Sequence, residues 1–139
     1  MRFIYTYILP VAIIATNAWG AEAPLGPTSA SVDRVIDGDT VRMRVVIWID
    51  QELVVSVRLA GVDAPELFRP KCAGERAKAK LAKQFVEDFL NGGSVTLHDI
   101  GRDKYGGRVV ARVETVDGDL ATALVDAGLA VEGGKGRWC

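Results

Sequence analysis

Residues 57–66 read Val-Arg-Leu-Ala-Gly-Val-Asp-Ala-Pro-Glu and place one arginine and two acids around a proline. Pro65 disfavours helical geometry for the residue before it and fixes its own φ, so the turn is rigid. Carboxylates and main-chain carbonyls are the oxygen ligands that calcium and magnesium prefer. Arg58, Asp63 and Glu66 therefore suggest half of a metal-assisted phosphodiester site, although a solvated turn explains the spacing of the acids equally well.

A second pair of acids lies at residues 37–40, Asp-Gly-Asp-Thr, where Asp-Gly is also a strong signal for a hairpin turn. The chain contains its own control, because residues 117–119 repeat Asp-Gly-Asp before the last predicted helix. We interpret that second copy as a structural turn in which Asp119 caps the helix. Alone, the first copy would have the same interpretation, but residues 57–66 give Asp39 a chemical partner.

A third block, Asp-Lys-Tyr-Gly-Gly-Arg at residues 103–108, ends where the fifth predicted strand starts. An arginine at a strand entry can simply be exposed to solvent. Beside Arg58, however, Arg108 offers a second planar guanidinium, and two guanidiniums can clamp one phosphate from two sides.

The site needs strands to position it, and the alternation of apolar and polar residues predicts five of them. The first is short and precedes the Asp-Gly turn, while the second and third alternate strictly and place Arg58 on the face opposite the core. The predicted strands cover residues 32–36, 41–48 and 53–60, a segment around 95–97, and residues 109–113.

Two helices are predicted between and after these strands. The first runs from about residue 74 to residue 90 and ends at Asn-Gly-Gly. Its apolar stripe is made of Ala77, Leu81, Phe85 and Phe89, flanked by Ala82, Val86 and Leu90. Its lysines Lys78, Lys80 and Lys83 are interpreted as a solvated face. The second helix covers residues 120–127. Strands and helices in this order predict an α+β domain with a small closed sheet.

The first twenty residues have the pattern of a signal peptide. Arg2 gives a positive start, residues 3–16 are almost wholly apolar, and Ala-Trp-Gly at residues 18–20 is a plausible cleavage site. An uncleaved membrane anchor is the alternative, although Pro10 interrupts the segment and it is short for a bilayer span. We expect a periplasmic or secreted protein.

The remaining chain divides into a lead-in and a folded domain. Residues 21–31 are rich in proline, glycine, threonine and serine and predict a flexible lead-in, so the domain is placed at residues 32–139. We expect it to be a monomer without stable membrane association after signal cleavage.

The chain has two cysteines, Cys72 and Cys139. In an exported protein, a lone pair of cysteines is more often a disulfide than a metal or redox site. The predicted bond would close a long loop and tie down the last residue.

Charge and composition restrict the type of partner. The formal net charge is −1, so a polyanion would be bound by a few placed arginines and a cation, not by a uniformly basic surface. His98 is the single histidine, and no serine or cysteine accompanies it in a nucleophile pattern. The chain also lacks a glycine-rich phosphate loop and a zinc-ligand spacing.

Taken together, the blocks at residues 37–40, 58–66 and 103–108 resemble the thermonuclease family, whose best-known member is staphylococcal nuclease. The resemblance covers roughly residues 32–131. It implies an OB-fold, a five-stranded Greek-key β-barrel with packed helices, which agrees with the order of elements predicted above.

The resemblance also implies a metal site and a base. Asp39 and Asp63 would be the side-chain ligands of Ca²⁺, with the main-chain carbonyl of Ala64 as a third ligand. Glu66 would be the general base, or the carboxylate that orients the attacking water.

Four further residues would bind the substrate. Arg58 and Arg108 would stabilise the charge that develops on the scissile phosphate. Lys104 and Tyr105 would contact a neighbouring phosphate or nucleotide. The activity implied is that of a calcium-dependent, sugar-nonspecific endonuclease that hydrolyses DNA and RNA and leaves 3′-phosphates.

Two other functions stay open. One is a catalytically weak or inactive OB-fold module that binds nucleic acid or protein in an envelope assembly, and the other is a disulfide-bonded structural domain. The chain has two glycines before Arg108 where the best-known member has one, so Arg108 reaches the site only if the turn absorbs the additional residue. Trp138 is interpreted as a tail aromatic that covers the core, with a stacking surface as the alternative.

Overall fold

The structure is a computed structural model that describes residues 25–139. The predicted signal peptide and the start of the predicted lead-in lie outside these residues. The elements, in chain order, are β1 (Thr28–Asp37), β2 (Thr40–Trp48), β3 (Gln51–Leu59), β4 (Val62–Asp63), α1 (Ala73–Leu90), β5 (Ser94–Arg102), β6 (Arg108–Thr115), β7 (Gly118–Asp119), α2 (Leu120–Asp126) and β8 (Val131–Glu132).

Five strands form a closed barrel. They are hydrogen-bonded in the order β3-β2-β1-β5-β6, and β6 pairs back with β3 in parallel, with Leu59 opposite Ala111. The other pairings in the barrel are antiparallel. Closure removes the free sheet edges, and the two helices pack outside, so the predicted α+β OB-fold is confirmed.

Alternation along β2 and β3 builds the core. Val41 and Met43 on β2 and Val57 on β3 are fully buried, while the residues between them face outward. Near the end of β2, the predicted alternation no longer separates buried from exposed residues. Ile47 was predicted on the core-facing side, but in the β2–β3 hairpin it is 59% exposed. The hairpin projects from the barrel at the end opposite to the β1–β2 turn.

The first strand is longer than predicted. It begins at Thr28, before the predicted domain boundary at residue 32, because residues 28–31 pair with β5. Leu25 forms a further bridge with Ile100, through two main-chain hydrogen bonds of 2.9 and 2.7 Å. The lead-in from residue 25 onward is therefore part of the sheet.

The buried face of α1 agrees with the predicted stripe only in part. Its flanking residues Ala82, Val86 and Leu90 are buried and its phenylalanines pack against the core, but Ala77 and Leu81 are exposed, so their prediction as apolar contacts was wrong. Leu81 is 62% exposed, and the buried residues of the helix are Glu75, Ala79, Ala82, Val86 and Leu90. The reason is a close approach between backbone elements: a Cβ on Gly38 would lie 2.7 Å from the Cβ of Ala82. Small residues face the β1–β2 turn, and the aromatic residues of the helix lie at the margin of the core.

The end of α1 and the start of α2 lie where the sequence indicated. Asn91 closes α1 in the left-handed conformation with a φ of 42°, and its N–H donates to the Glu87 carbonyl. Asp119 caps α2 by accepting a hydrogen bond of 2.9 Å from the Thr122 N–H. The second Asp-Gly-Asp copy is thus the structural turn that was predicted.

The end of the chain is fixed to the rest of the domain. Cys72 and Cys139 form a disulfide that joins the last residue to the N-terminus of α1. Before it, β8 pairs with β4, and the Gly133 N–H donates to the Gly61 carbonyl at 2.9 Å. Within the part of the chain that the structure describes, no helix is long and apolar enough to span a bilayer.

Candidate active site

One cleft of about 680 Å³ collects all eight residues that were predicted to bind metal or substrate or to act in catalysis. It lies at the end of the barrel where the β1–β2 turn meets the segment after β3. The eight residues are Asp39, Arg58, Asp63, Ala64, Glu66, Lys104, Tyr105 and Arg108. A separate groove of about 540 Å³ between β1 and α1 contains none of them.

Arg58 lies between two carboxylates. Its Nη1 is 2.5 Å from Asp39 Oδ2, its Nη2 is 3.6 Å from Asp63 Oδ1, and Nη2 also donates to the Val62 carbonyl at 3.1 Å. Burial acts to lower the pKa of Arg58, but the neighbouring Asp39 carboxylate acts the other way, and the net effect is a pKa above the ordinary arginine value. The guanidinium therefore stays charged.

Asp39 joins the β1–β2 turn to the proline turn. The residue is only 7% exposed, and its Oδ2 accepts a hydrogen bond of 3.1 Å from the Ala64 N–H. Its Oδ1 accepts the Thr40 hydroxyl at 3.0 Å. Two segments that are 25 residues apart in sequence are thereby held together at the predicted ligand set.

Asp37 is a member of the cleft that the sequence analysis did not select. Its carboxylate accepts the Asp39 N–H at 3.2 Å. Burial, together with the charges of Asp39 and Glu66, raises the pKa of Asp37 to about 7. Asp37 is the first residue of the Asp-Gly-Asp-Thr block, so the sequence did mark its position. It was interpreted only as a turn residue, and its electrostatic role in the cleft was therefore missed.

Glu66 is exposed at the edge of the cleft, and Glu75 holds the segment that carries it. Glu75, in the first turn of α1, is 4% exposed and accepts the N–H groups of Glu66 at 3.1 Å and Lys71 at 2.6 Å. These two donors, Lys71 first, lower the pKa of Glu75. Glu66 Oε1 in turn accepts the Phe68 N–H at 3.2 Å. Glu75 was not predicted, since periodicity placed it outside the apolar face.

Arg108 lines the cleft, but its guanidinium is engaged by Asp103 in an ion pair. Burial acts to raise the pKa of Asp103, and Arg108 more than offsets this, so the pKa lies below its usual value. The ring of Tyr105 lies 5.2 Å from the Arg108 guanidinium and 4.9 Å from the Lys104 ammonium.

Gly107, in the turn with the additional glycine, has a φ of 77°, which glycine adopts without strain. The parallel pairing of β3 with β6 then sets Ser56 opposite Arg108 and Arg58 opposite Val110. The two arginines therefore start from neighbouring strands at the same end of the barrel.

The donor set fits a hard cation that is bound by few protein oxygens. Among residues 25–139, no three Asp, Glu, His or Cys side chains lie close enough together to hold a metal by themselves. The predicted set has only two carboxylates and one main-chain carbonyl, and calcium completes its shell with water. Burial first, and then the neighbouring carboxylates, raise the pKa of Asp37, and a cation bound nearby would offset the repulsion between these carboxylates.

The C-terminal residues also border the cleft. The Gly136 N–H donates to Asp63 Oδ2 at 2.9 Å, and Trp138 lines the cleft with the Lys78 ammonium 4.9 Å from its ring centroid. Trp138 is not part of the apolar core cluster, so the interpretation as a core-covering aromatic was wrong. The glycine-rich composition of the tail gave no indication of the contact with Asp63.

A closed five-stranded barrel with two packed helices and a cleft of carboxylates and arginines at one end defines an OB-fold protein with an ionic cleft. A sequence model of the family described as staphylococcal nuclease homologue matches residues 56–135, which is more than half of the chain. The chain belongs to this family, as the resemblance predicted, and membership indicates a nuclease-related function with nucleic acid as substrate. No curated protein sequence matches the chain.

Proposed function

We propose that this protein is a calcium-dependent endonuclease that hydrolyses DNA and RNA, leaves 3′-phosphates and acts in the periplasm or outside the cell. The observation that carries the proposal is the Asp39–Arg58–Asp63 cluster, which lies in one cleft with Glu66. Carboxylates and a guanidinium held together at a partly open site match the needs of phosphodiester hydrolysis.

Asp39 and Asp63 are the side chains that would hold calcium, with the Ala64 carbonyl as the main-chain ligand. Bound calcium supplies Lewis-acid polarisation of a phosphoryl oxygen. Asp39 is well prepared for this role, because the Ala64 N–H and the Thr40 hydroxyl fix its carboxylate before any ligand arrives.

Glu66 is the proposed base. Its carboxylate is exposed to the cleft, so it can take a proton from a water molecule whose oxygen bonds to phosphorus. The P–O5′ bond breaks in the same step, and the departing O5′ takes a proton from solvent water to become the 5′-hydroxyl. The Phe68 N–H restricts the Glu66 side chain, and Glu75 restricts its main chain. A base held at both points spends less time in unproductive orientations.

Arg58 and Arg108 are the proposed electrostatic partners of the phosphate. Arg58 pairs with Asp39 and Asp63, the two carboxylates that would hold calcium, so its donors would be available to a phosphate once these carboxylates were neutralised. Lys104 and Tyr105 lie farther along the same wall and are exposed, which suits contact with a flanking phosphate or nucleotide.

The test is digestion of DNA and RNA, side by side, by protein lacking residues 1–20. Cleavage is expected with calcium and is expected to stop with a calcium chelator, and the ends produced should carry 3′-phosphate. Cleavage that is unaffected by the chelator, or no cleavage of either polymer, would contradict the proposal.

A binding module that does not cut is the second candidate, and the Asp103–Arg108 ion pair favours it. If Arg108 stays with Asp103 in the complex, only one guanidinium serves the phosphate. A gel shift in calcium separates the two candidates: the enzyme should shift DNA intact only after Glu66→Gln, whereas a binding module should shift it intact without any substitution.

A further inference from the structure

The tail, defined here as residues 133–139, forms one wall of the cleft although no catalytic role attaches to its residue types. It is held at both ends. The Gly133 N–H bonds to the Gly61 carbonyl at 2.9 Å, and Cys139 is bonded covalently to Cys72 at the start of α1. These two attachments restrict the conformations that the segment between them can adopt.

Between those points, the tail contacts a predicted metal ligand directly. The Gly136 N–H donates to Asp63 Oδ2 at 2.9 Å, while Asp63 Oδ1 lies 3.6 Å from Arg58 Nη2. The carboxylate is thus fixed from two sides, once by a side chain and once by a main-chain group that is 73 residues away in sequence. Hydrogen bonds from such supporting groups set the orientation of a ligand before the metal binds.

A side chain on Gly136 would require the Trp138 ring or the tail main chain to move. A Cβ built on it would overlap the indole ring of Trp138, whose ring centroid lies 4.9 Å from the Lys78 ammonium. Gly134 in the same tail faces open space, with nothing within 4 Å of an added Cβ. Alanine at residue 136 would therefore disturb the segment whose amide bonds to Asp63, whereas alanine at residue 134 would not.

We propose that Gly136 is a positioning residue for Asp63 and that the Cys72–Cys139 disulfide is what keeps it there. The proposal rests on the proposed function, because it takes Asp63 as a calcium ligand. The tail would then contribute to calcium affinity through its main chain, without contacting the metal. The Trp138 ring packs beside this glycine, so a Cβ at residue 136 would displace the ring or the amide.

Calcium titration by calorimetry, in the absence of nucleic acid, tests this directly. Gly136→Ala is expected to weaken calcium binding by about tenfold, since loss of a supporting hydrogen bond to a metal ligand has that effect. Gly134→Ala is the matched control and should keep the affinity of the parent. Equal affinities in the two variants would overturn the inference.

A double variant guards against simple misfolding. In Gly136→Ala combined with Trp138→Ala, the added Cβ no longer meets an indole ring, so the amide can return to Asp63. Calcium affinity should then recover to within about twofold of that of Trp138→Ala alone, because the supporting hydrogen bond is restored. An affinity as weak as that of Gly136→Ala by itself would show that the overlap with Trp138 is not the cause.

The disulfide is tested by Cys72→Ser with Cys139→Ser, in which serine can still cap α1. Its calcium affinity is expected to fall as far as that of Gly136→Ala, and adding Gly136→Ala should cause little further loss, because both act on one contact. A folded double-serine protein with the affinity of the parent overturns the inference. Failure of the parent itself to bind calcium would overturn the proposed function as well, so the two failures are distinguishable.

Discussion

The guanidinium of Arg58 lies 2.5 Å from the Asp39 carboxylate, on a strand that pairs with the strand following Asp39. Thr40 and Arg58 are directly opposed in that antiparallel ladder, and the Leu59 N–H donates to the Asp39 carbonyl at 2.8 Å. A slip of one residue would turn Arg58 to the other face of the sheet. The contact is therefore set by register, and the barrel itself assembles this part of the site.

Replacing Arg58 with lysine should lower kcat/KM for DNA by about 10²-fold. A lysine keeps the charge, but a single ammonium cannot reach Asp39, Asp63 and the Val62 carbonyl in the geometry of the guanidinium. The measurement is steady-state cleavage of single-stranded DNA in calcium. Arg42→Lys, at a surface pair with Asp33, is the control and should retain full activity.

Glu66→Gln should reduce the cleavage rate by about 10²-fold to 10⁴-fold, because the amide cannot accept a proton from water. Calcium binding should stay near that of the parent, since Glu66 is not among the proposed ligands. Single-turnover cleavage gives the rate, and Glu52→Gln in the distant β2–β3 hairpin is the control. Retention of full activity would remove Glu66 from its proposed role.

The pH dependence of stability should show the effect of Asp37. Its pKa is about 7 in the folded, metal-free protein and about 4 when unfolded, so the folded state binds more protons between these values. The free energy of unfolding should therefore fall as pH rises from about 4 to about 7, by about 1–2 kcal/mol after allowance for partial solvent exposure.

Urea unfolding in chelator across this range measures the contribution of Asp37. Asp37→Asn should flatten this part of the pH profile, because asparagine stays neutral throughout. Calcium should also reduce the fall, since a cation nearby offsets the cost of ionising Asp37. An identical slope in the parent and in Asp37→Asn would contradict the assignment of the shift to this residue.

Gly38→Ala should destabilise the protein by about 1–3 kcal/mol, the usual cost of forcing added volume into a packed contact. The new Cβ would lie 2.7 Å from the Cβ of Ala82 and 2.9 Å from the Cβ of Ala64, so α1 would have to move away from the β1–β2 turn. Thermal unfolding measures the loss. Gly101→Ala is the matched control, because an added Cβ there meets nothing within 4 Å.

The parts of the fold that depend on local pattern were predictable. Alternation gave the strands, the Asn-Gly-Gly stop gave the end of α1, and Asp119 was identified as a cap. The buried face of α1 was predictable only in part. The predicted stripe included Ala82, but it was centred on residues such as Leu81, which is exposed because the contact with Gly38 requires alanine on the buried side. The need for small residues where α1 approaches the β1–β2 turn cannot be detected from hydrophobic periodicity, which does not take side-chain size into account.

The candidate site was predictable where its residues stand in distinctive blocks, and not where its partners are generic. Asp39, Asp63 and Glu66 belong to blocks whose order carried the resemblance, and they line one cleft. Glu75 acts through a buried carboxylate and Gly136 through its main-chain amide. A glutamate or a glycine in a sequence does not by itself indicate such a role. The pairing of Arg108 with Asp103 likewise depends on how one turn closes.

Because β3 pairs in parallel with β6, we expect assembly of the site to be a late event in folding. Its partners are far apart in sequence, and contacts of that kind form slowly because a long loop must close first. Until that closure, Arg58 and Arg108 are on separate, mutually mobile parts of the chain. A chain that has formed its helices but not its closed barrel should therefore be unable to bind a phosphate between the two arginines. Phosphate binding by both arginines should appear only when the barrel closes.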